Sequence, residues 1–409
     1  MVRAVVIAMS VAKGIYDFVT FLLARSMWKK PLPENVRDVY SREEYEKYIR
    51  YKKDCARSDT AQMALSFILD LVFLVFNVYS AVFNALEALN IYPGYILMIL
   101  IFAVIEQITG IPFAYYDTFV IEEKYGMNRT TKKTFLLDRI KSFIVSTVLT
   151  SLLISLVIFF FTRFGIKAVA WTAGAVMVFS LLINLLLMPF MRLFNRFTPL
   201  EEGELREKLT SLCSKYGVKV KRIVVRDASR RTTKANAFCS GLRKKTISID
   251  DNLMNSFTTD EITAVFAHEF AHAKYRHVLK SLPFSLISSV ILIAAFGLLL
   301  EFPAFFTAFG FNEANYFFAF LLLGTMTWPV TIPFNTFLNS ISRKHEYEAD
   351  AFAAKEGYGE ALISALKRLV SESLSSVNPH PWIVLTEYSH PTLSQRIESI
   401  RKKENNPDV

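Results

Sequence analysis

Residues 142–162 read SFIVSTVLTSLLISLVIFFFT and contain no charged side chain. A bilayer core about 30 Å thick is crossed by roughly 20 apolar residues of helix, so this stretch predicts a membrane-spanning helix. On both sides of it, six further stretches have a comparable length and apolar content. These stretches are about 4–24, 64–86, 93–116, 168–191, 282–301 and 316–338. We therefore predict a mainly α, polytopic membrane protein with about seven transmembrane helices.

The composition of the 409-residue chain agrees with a membrane protein, since hydrophobic types make up 52%, charged types only 21%, and mean hydropathy is +0.31. Three widely spaced cysteines exclude a disulfide-stabilised secreted scaffold. The apolar content excludes a disordered chain. The net charge of +10 is spread among acidic residues, with no nucleic-acid-binding motif. We therefore expect membrane lipid, and no nucleic acid, as a partner.

The first apolar stretch, 4–24, has two interpretations. Arg3 followed by a short apolar run resembles a signal peptide, and Lys13 and Asp17 weaken the stretch as a span. The apolar run resumes after Gly14 as IYDFVTFLLA, however, which favours an uncleaved helix.

The charges of the connecting segments predict the orientation in the membrane. Segments 25–62 and 118–141 carry ten and six Lys or Arg residues, whereas 87–92 and 302–315 carry none. Positively charged loops stay in the cytoplasm. With seven spans, the N-terminus then lies outside, and both the long segment 192–281 and the C-terminus face the cytoplasm.

The segment 192–281 predicts a cytoplasmic α+β domain. An amphipathic helix over 200–216 is followed by the alternating run VKVKRIVVRD and by a second strand over 245–250. A helix is then expected from Thr259, its possible cap, to Lys280. The predicted division of the chain is as follows: 1–191 holds about five spans, 192–281 the cytoplasmic domain, 282–340 two further spans and 341–409 C-terminal helices.

The sequence His268-Glu269-Phe270-Ala271-His272 has the pattern HExxH. On a helix, residues four apart share a face, so both imidazoles can bind one tetrahedral zinc ion. Glu269, on the adjacent flank, can then take the proton from the attacking water. The pattern predicts one catalytic Zn²⁺ per chain. The alternative is a polar helix end with two unrelated histidines.

A catalytic zinc site needs a third protein ligand, and the best source is SRKHEYEAD at 342–350. Glu346 and Asp350 stand one helical turn apart, so Glu346 could bind the metal while Asp350 orients a ligating imidazole. His345 and Glu348 are alternative ligands on other faces. We interpret His277 and His380 as surface or interfacial residues.

Several motifs together resemble the type I integral-membrane CAAX prenyl endopeptidases. They are HEFAH (268–272), SRKHEYEADAFA (342–353), YSHPTLSQRI (388–397), ANAFCSG (235–241) and IEEKYGMN (121–128). The resemblance extends over nearly the whole chain. It implies a zinc metalloprotease whose seven helices enclose an intramembrane chamber, with a peptide or protein substrate that is C-terminally prenylated.

The resemblance also implies roles for individual residues. Glu346 becomes the third zinc ligand, with Asp350 behind it. His390 faces the substrate and helps stabilise the developing oxyanion, and Arg396 is its partner and is expected to contact the substrate. Asn236 lies by the edge strand on which a peptide is laid. We expect a substrate strand added beside 245–250 to present its scissile carbonyl to the zinc.

Polar residues within the predicted spans agree with a chamber. Asp70, Glu106, Gln107 and Asn184 are costly when they face lipid, so they should face an aqueous interior or pair with one another. Asp70 could instead lie near the membrane interface.

The function that this sequence predicts is endoproteolysis in a membrane chamber, in the endoplasmic reticulum of a eukaryote or the cell membrane of a prokaryote. One alternative is a membrane quality-control metalloprotease without a prenyl requirement. Another is a catalytically silent scaffold with a structural zinc. Glu269 argues against the scaffold, because a structural zinc needs no base.

Overall fold

The computed structural model describes residues 1–86, 88–218, 220–240 and 245–405. The first half is helical: α1 (Val2–Ser26), α2 (Arg42–Val75), α3 (Val78–Ala85), α4 (Ile91–Tyr116), α5 (Lys132–Phe164), α6 (Val169–Leu185) and α7 (Leu187–Phe194). A mixed region follows: β1 (Phe197–Pro199), α8 (Glu204–Lys215), β2 (Val220–Arg226), β3 (Ala237–Ser240), β4 (Lys245–Asp250), α9 (Asp251–Ser256) and α10 (Thr259–Lys274). The last helices are α11 (His277–Leu300), α12 (Ala304–Thr307), α13 (Tyr316–Ala353), α14 (Gly359–Glu372), α15 (Pro381–Thr386) and α16 (Leu393–Asn405).

Six helical segments among the described residues are long and apolar enough to cross a membrane. One of them, Lys132–Leu185, has 54 residues, far more than the roughly 20 that one crossing needs. It contains α5 and α6, which turn at Gly165 with a φ of 54° and pack against each other. Counted separately, these two helices bring the total to the predicted seven.

Buried side chains gather at the two ends of the membrane helices. At one end, the core surrounds α10 and the sheet and includes Leu209, Ile249 and Phe270. At the other end, aromatic residues such as Phe306 and Phe318 form a second core.

Between these two cores, four long helices bury none of their described residues. The unburied stretches are 59–73 of α2, 135–153 of α5, 278–292 of α11 and 323–345 of α13. A solid helix bundle would bury one face along its whole length. The longest stretch covers about 34 Å at 1.5 Å per residue, a height comparable to the bilayer core. The helices therefore form the wall of a hollow chamber.

A cavity of about 670 Å³ lies against α1, α2, α3 and α13. Asp70 lines it together with Lys13 and Asp17. Lys13 Nζ and Asp17 Oδ2 form an ion pair at 2.7 Å. These are the two charged residues that weakened the sequence-based prediction of a membrane span for α1.

The small sheet lies at the end of the molecule where α10 is buried. Its strand order is β1-β2-β4-β3, with β2 and β4 parallel and the two outer pairs antiparallel. The predicted strand 245–250 is confirmed as β4, but it lies inside the sheet, with a neighbour on each side. The expectation that a substrate strand would add beside it is therefore wrong, because both of its edges are already hydrogen-bonded.

The predicted helix from Thr259 to Lys280 is interrupted. α10 ends at Lys274, and Arg276 adopts the left-handed conformation at φ 56° before α11 begins at His277. The turn redirects the chain from the buried core into a membrane span. The cap residue is Thr258, one position before the predicted Thr259.

Helix α13 joins the last membrane span to the segment that carries Glu346. It has 38 residues, from the far core at Phe318 to the near core at Phe352. The predicted boundary at 340/341 falls inside this continuous helix. The span and the candidate third ligand thus belong to one continuous helix.

Candidate metal centre

Helix α10 starts with a capping box that also fastens it to α14. The Thr258 side chain accepts a hydrogen bond from the Glu261 backbone N–H, and the Glu261 carboxylate accepts one from the Thr258 backbone N–H at 2.9 Å. The same carboxylate accepts hydrogen bonds from Ser364 Oγ (2.6 Å) and Arg368 Nη1 (2.9 Å) on α14. The carboxylate end of these contacts is buried, since Glu261 is only 5% exposed, whereas Ser364 is exposed and Arg368 is partly exposed.

Two histidines of α10 and one glutamate of α13 meet at one point. His268 and His272 stand one turn apart, and their Nε2 atoms are 3.3 Å from each other. Glu346 places Oε2 3.3 Å from His268 Nε2 and Oε1 3.3 Å from His272 Nε2. One ligand atom from each of the three residues lies within 4.8 Å of the others.

This arrangement fits a tetrahedral metal ion. Metal–ligand bonds of about 2.0–2.1 Å at tetrahedral angles place neighbouring ligand atoms about 3.4 Å apart. Glu346 Oε2 is buried and accepts no hydrogen bond from the described residues. Two imidazole nitrogens with facing lone pairs, beside such a carboxylate, are stabilised when a cation lies between them.

Behind His268, Asp350 and Arg396 form a buried pair. Asp350 Oδ1 accepts hydrogen bonds from His268 Nδ1 at 2.9 Å and from Arg396 Nη2 at 2.6 Å, and Oδ2 accepts one from Arg396 Nε at 2.9 Å. When His268 donates an Nδ1 proton to Asp350, the lone pair of its Nε2 is free to face the metal position.

The electrostatics of this cluster favour positive charge. Burial and the neighbouring Arg396 lower the pKa of His268, but the adjacent carboxylates of Asp350 and Glu346 outweigh both and raise it to about 9. Burial likewise lowers the pKa of Arg396, but Asp350 outweighs it, so the guanidinium pKa is raised overall. A substrate would therefore have to compete with Asp350 for Arg396, because the guanidinium already donates hydrogen bonds to Asp350.

Glu269 and His390 lie on the open side of the site. Glu269 is half-buried on α10 and makes no hydrogen bond or ion pair with any residue in the described part of the chain. His390 is exposed, with Nε2 3.4 Å from Glu346 Oε1 and Nδ1 2.9 Å from Ser389 Oγ. Both side chains can therefore reach a water or peptide at the metal position.

Asn236 immediately precedes β3, which packs against α10. Its backbone carbonyl accepts a hydrogen bond from the Asp250 N–H at 3.0 Å, and its side chain accepts one from the Ala237 N–H at 2.8 Å. β3 is the last strand of the sheet on this side. The edge available to a peptide therefore belongs to β3, and Asn236 stands at its start.

Sequence reasoning missed the contact of His277 with one of the candidate ligands. His277 was expected to be a surface or interfacial residue, but it is 4% exposed and lies against His272, with Nδ1 atoms 2.9 Å apart. Glu348, considered as an alternative ligand, instead contacts His277 Nε2 at 3.0 Å. The other alternative, His345, stacks on the His277 ring with centroids 4.1 Å apart. The five-residue spacing between His272 and His277 was the only local signal that these two side chains are in contact. The break between α10 and α11 lies within that spacing.

A His–His–Glu cluster at the base of a hollow bundle of membrane helices defines a membrane metallopeptidase. Residues 24–196 match the family profile described as CAAX prenyl protease N-terminal, five membrane helices, and residues 199–404 match peptidase family M48. The chain therefore belongs to peptidase family M48 and is a multi-pass integral-membrane metalloendopeptidase.

Similar proteins cover nearly the whole chain. CAAX prenyl protease 1 of Saccharomyces cerevisiae is 28% identical over 97% of this chain and 95% of its own length. The CAAX prenyl protease 1 homolog of Oryza sativa is 31% identical over 96% of each chain. Among solved structures, the crystal structure of S. mikatae Ste24p superposes with a TM-score of 0.92 at 27% identity, over 98% of this chain and 99% of that one.

Proposed function

We propose that this protein is a zinc endopeptidase that removes the C-terminal tripeptide of prenylated CAAX proteins in a chamber open to the cytoplasm. The observation that carries the proposal is the cluster of His268, His272 and Glu346 at one end of a hollow helical wall. The names of the similar proteins from yeast and rice support the choice of substrate.

The donor set supports zinc as the metal. Two imidazoles and one carboxylate, with room for a fourth ligand, are typical of catalytic zinc sites. His268, His272 and Glu346 would hold the ion. Zinc, when bound, acts as a Lewis acid toward water and the scissile carbonyl.

The chain's own residues then perform the proton transfers. Glu269 has no competing partner among the described residues, so its carboxylate can take a proton from the attacking water. It then returns this proton to the departing amine. His390 Nε2, on the open side, can donate a hydrogen bond to the carbonyl oxygen as negative charge develops there.

The free edge of β3 is the proposed binding place for the peptide backbone, since an added strand would satisfy its own hydrogen bonds there. Asn236 would border that strand. We propose that Arg396 acts mainly by positioning Asp350, and thereby His268, because its guanidinium is already bound by both carboxylate oxygens.

The proposed orientation places the metal centre on the cytoplasmic side. The basic segment 25–62 supports it, because Val36, Tyr40 and Tyr48 from this segment pack into the same core as α10.

Labelling with a membrane-impermeant maleimide tests this orientation. The variants are Glu360→Cys, near the metal centre, and Glu313→Cys, at the opposite end of the molecule. In intact cells Glu313→Cys should react and Glu360→Cys should not, relative to the parent chain. The reverse pattern would invert the topology.

The main experiment measures zinc content and cleavage by the purified protein in detergent, with a farnesylated CAAX peptide and its unprenylated twin. The proposal predicts one zinc per chain, preferential cleavage of the farnesylated peptide, and loss of cleavage with a chelator. Equal cleavage of both peptides would indicate a protease without a prenyl requirement. Bound zinc without cleavage of either would contradict the proposal.

A further inference from the structure

The side chain of His277 links a candidate ligand to a carboxylate of another helix. His277 is the first residue of α11 and is 4% exposed. Its Nδ1 lies 2.9 Å from His272 Nδ1, and its Nε2 lies 3.0 Å from Glu348 Oε2 on α13.

Only one arrangement of protons satisfies all three groups when His272 binds a metal through Nε2. Nδ1 of His272 then carries a proton, and this N–H donates a hydrogen bond to Nδ1 of His277. His277 must be neutral with its own proton on Nε2, and this N–H donates a hydrogen bond to Glu348. The direction of each hydrogen bond is thus set by the metal at one end and the carboxylate at the other.

We propose that His277 and Glu348 are positioning residues that fix the tautomer and ring orientation of His272. This inference rests on the proposed zinc site and adds a function for the start of a membrane helix. The turn at Arg276, with φ 56°, places His277 against His272 rather than along the continuation of α10.

The arrangement around the other ligating histidine supports this assignment. His268 Nδ1 contacts Asp350 directly at 2.9 Å, whereas His272 Nδ1 reaches Glu348 through His277. Both carboxylates belong to α13, which also carries Glu346. One turn of this helix therefore supplies a ligand and an anchor for each imidazole.

The neighbours of His277 hold its ring in place. His345 stacks on it with an interplanar angle of 5°. Lys280 lies with Nζ 3.6 Å from Glu348 Oε2, which balances the charge of the carboxylate. The stacking on His345 thus fixes the plane of the His277 ring, and the contact with Glu348 fixes the direction in which its nitrogens point. A residue that orients a metal ligand needs both constraints.

The test compares zinc affinity, by chelator competition, and the visible spectrum of the cobalt-substituted protein. In His277→Leu, which removes the acceptor, zinc should bind about 10–100-fold more weakly and the cobalt bands should shift. In His277→Asn the side-chain oxygen takes the place of Nδ1, so most of the affinity and the spectrum should return. Glu348→Gln, which keeps an acceptor, should resemble the parent more than Glu348→Leu does.

His380→Leu is the matched control, because His380 is a partly exposed histidine that accepts a hydrogen bond at the start of α15. Parental affinity and spectrum in a folded His277→Leu variant would overturn the inference, as would His277→Asn binding zinc no better than His277→Leu. If the parent chain itself binds no zinc, the proposed zinc site is wrong and the inference fails with it. Normal zinc binding and cleavage by the parent, with no effect of His277→Leu, would overturn the inference alone.

Discussion

Arg396 holds Asp350 by two hydrogen bonds, Nη2 to Oδ1 at 2.6 Å and Nε to Oδ2 at 2.9 Å. Asp350 is fully buried, and its Oδ1 also accepts the Nδ1 proton of His268. A buried carboxylate without a cationic partner is costly, so this pair sets the charge balance behind the candidate metal.

Replacing Arg396 by Leu should therefore destabilise the site. Loss of one partner from a buried pair costs about 3–5 kcal/mol, because the remaining charge stays unpaired. We expect a lower apparent melting temperature and weaker zinc binding, with Arg396→Lys in between. Arg401→Leu, an exposed arginine on the same helix, is the control. A raised KM with unchanged zinc affinity would instead support direct contact between Arg396 and the substrate.

Glu269→Gln should retain zinc and lose turnover. The carboxylate is not in the ligand cluster, and general acid–base catalysis typically contributes about 10²–10⁴-fold to the rate. Zinc content and kcat for peptide cleavage check this prediction. Glu360→Gln, whose side chain is 67% exposed, serves as the control. Activity close to that of the parent would leave Glu269 without a catalytic role.

His390→Ala should lower kcat with little change in zinc content or KM. Removing a hydrogen-bond donor to a developing oxyanion costs about 10²–10³-fold in kcat. The alternative is that His390, with Nε2 3.4 Å from Glu346 Oε1, is a fourth ligand. In that case the variant would bind zinc more weakly. His380→Ala, which changes a histidine at the start of α15, is expected to keep full activity.

Glu261→Gln should destabilise the protein in a pH-dependent way. Burial raises the pKa of Glu261, but hydrogen bonds to Ser364 and Thr258 and the charge of Arg368 outweigh it, so the folded-state pKa is lowered. A carboxyl group with a lowered pKa stabilises the fold above its unfolded pKa, near 4.3, and this contribution disappears as the pH falls through the folded pKa.

Thermal unfolding in detergent at several pH values measures this effect. At neutral pH the Glu261→Gln variant should lose about 1–3 kcal/mol, the usual contribution of hydrogen bonds to a buried charged group. The difference from the parent should shrink below about pH 4. An equal difference at all pH values would mean that the charge of Glu261 is not what stabilises α10.

The sequence predicted the elements that depend on short-range patterns. Helix α5 contains the predicted span 142–162, α11 covers 282–300 of the predicted span 282–301, and β4 matches the predicted strand at 245–250. The spacing of His268 and His272 placed both on one helical face, as the structure shows. Such features follow from helix and strand periods and from the bilayer thickness, which act on neighbouring residues.

The break between α10 and α11 could not be predicted in the same way. The run AHAKYRHVLK contains good helix formers and no Pro or Gly, so local propensity favours one continuous helix. Arg276 adopts φ 56° because α10 must remain in the near core while α11 enters the membrane wall. That requirement comes from the packing of distant elements.

By itself, the sequence determined that this is a membrane protein with about seven spans and two metal-ligand motifs, because hydropathy and helical spacing are local properties of the chain. Only the tertiary structure decided that β3 is the free edge, that Arg396 is buried behind His268, and that His277 connects His272 to Glu348. The contacts of His277 with Glu348 and of Arg396 with His268 join residues 71 and 128 positions apart, and only the packing of α13 against α11 and of α16 against α13 and α14 brings these residues together.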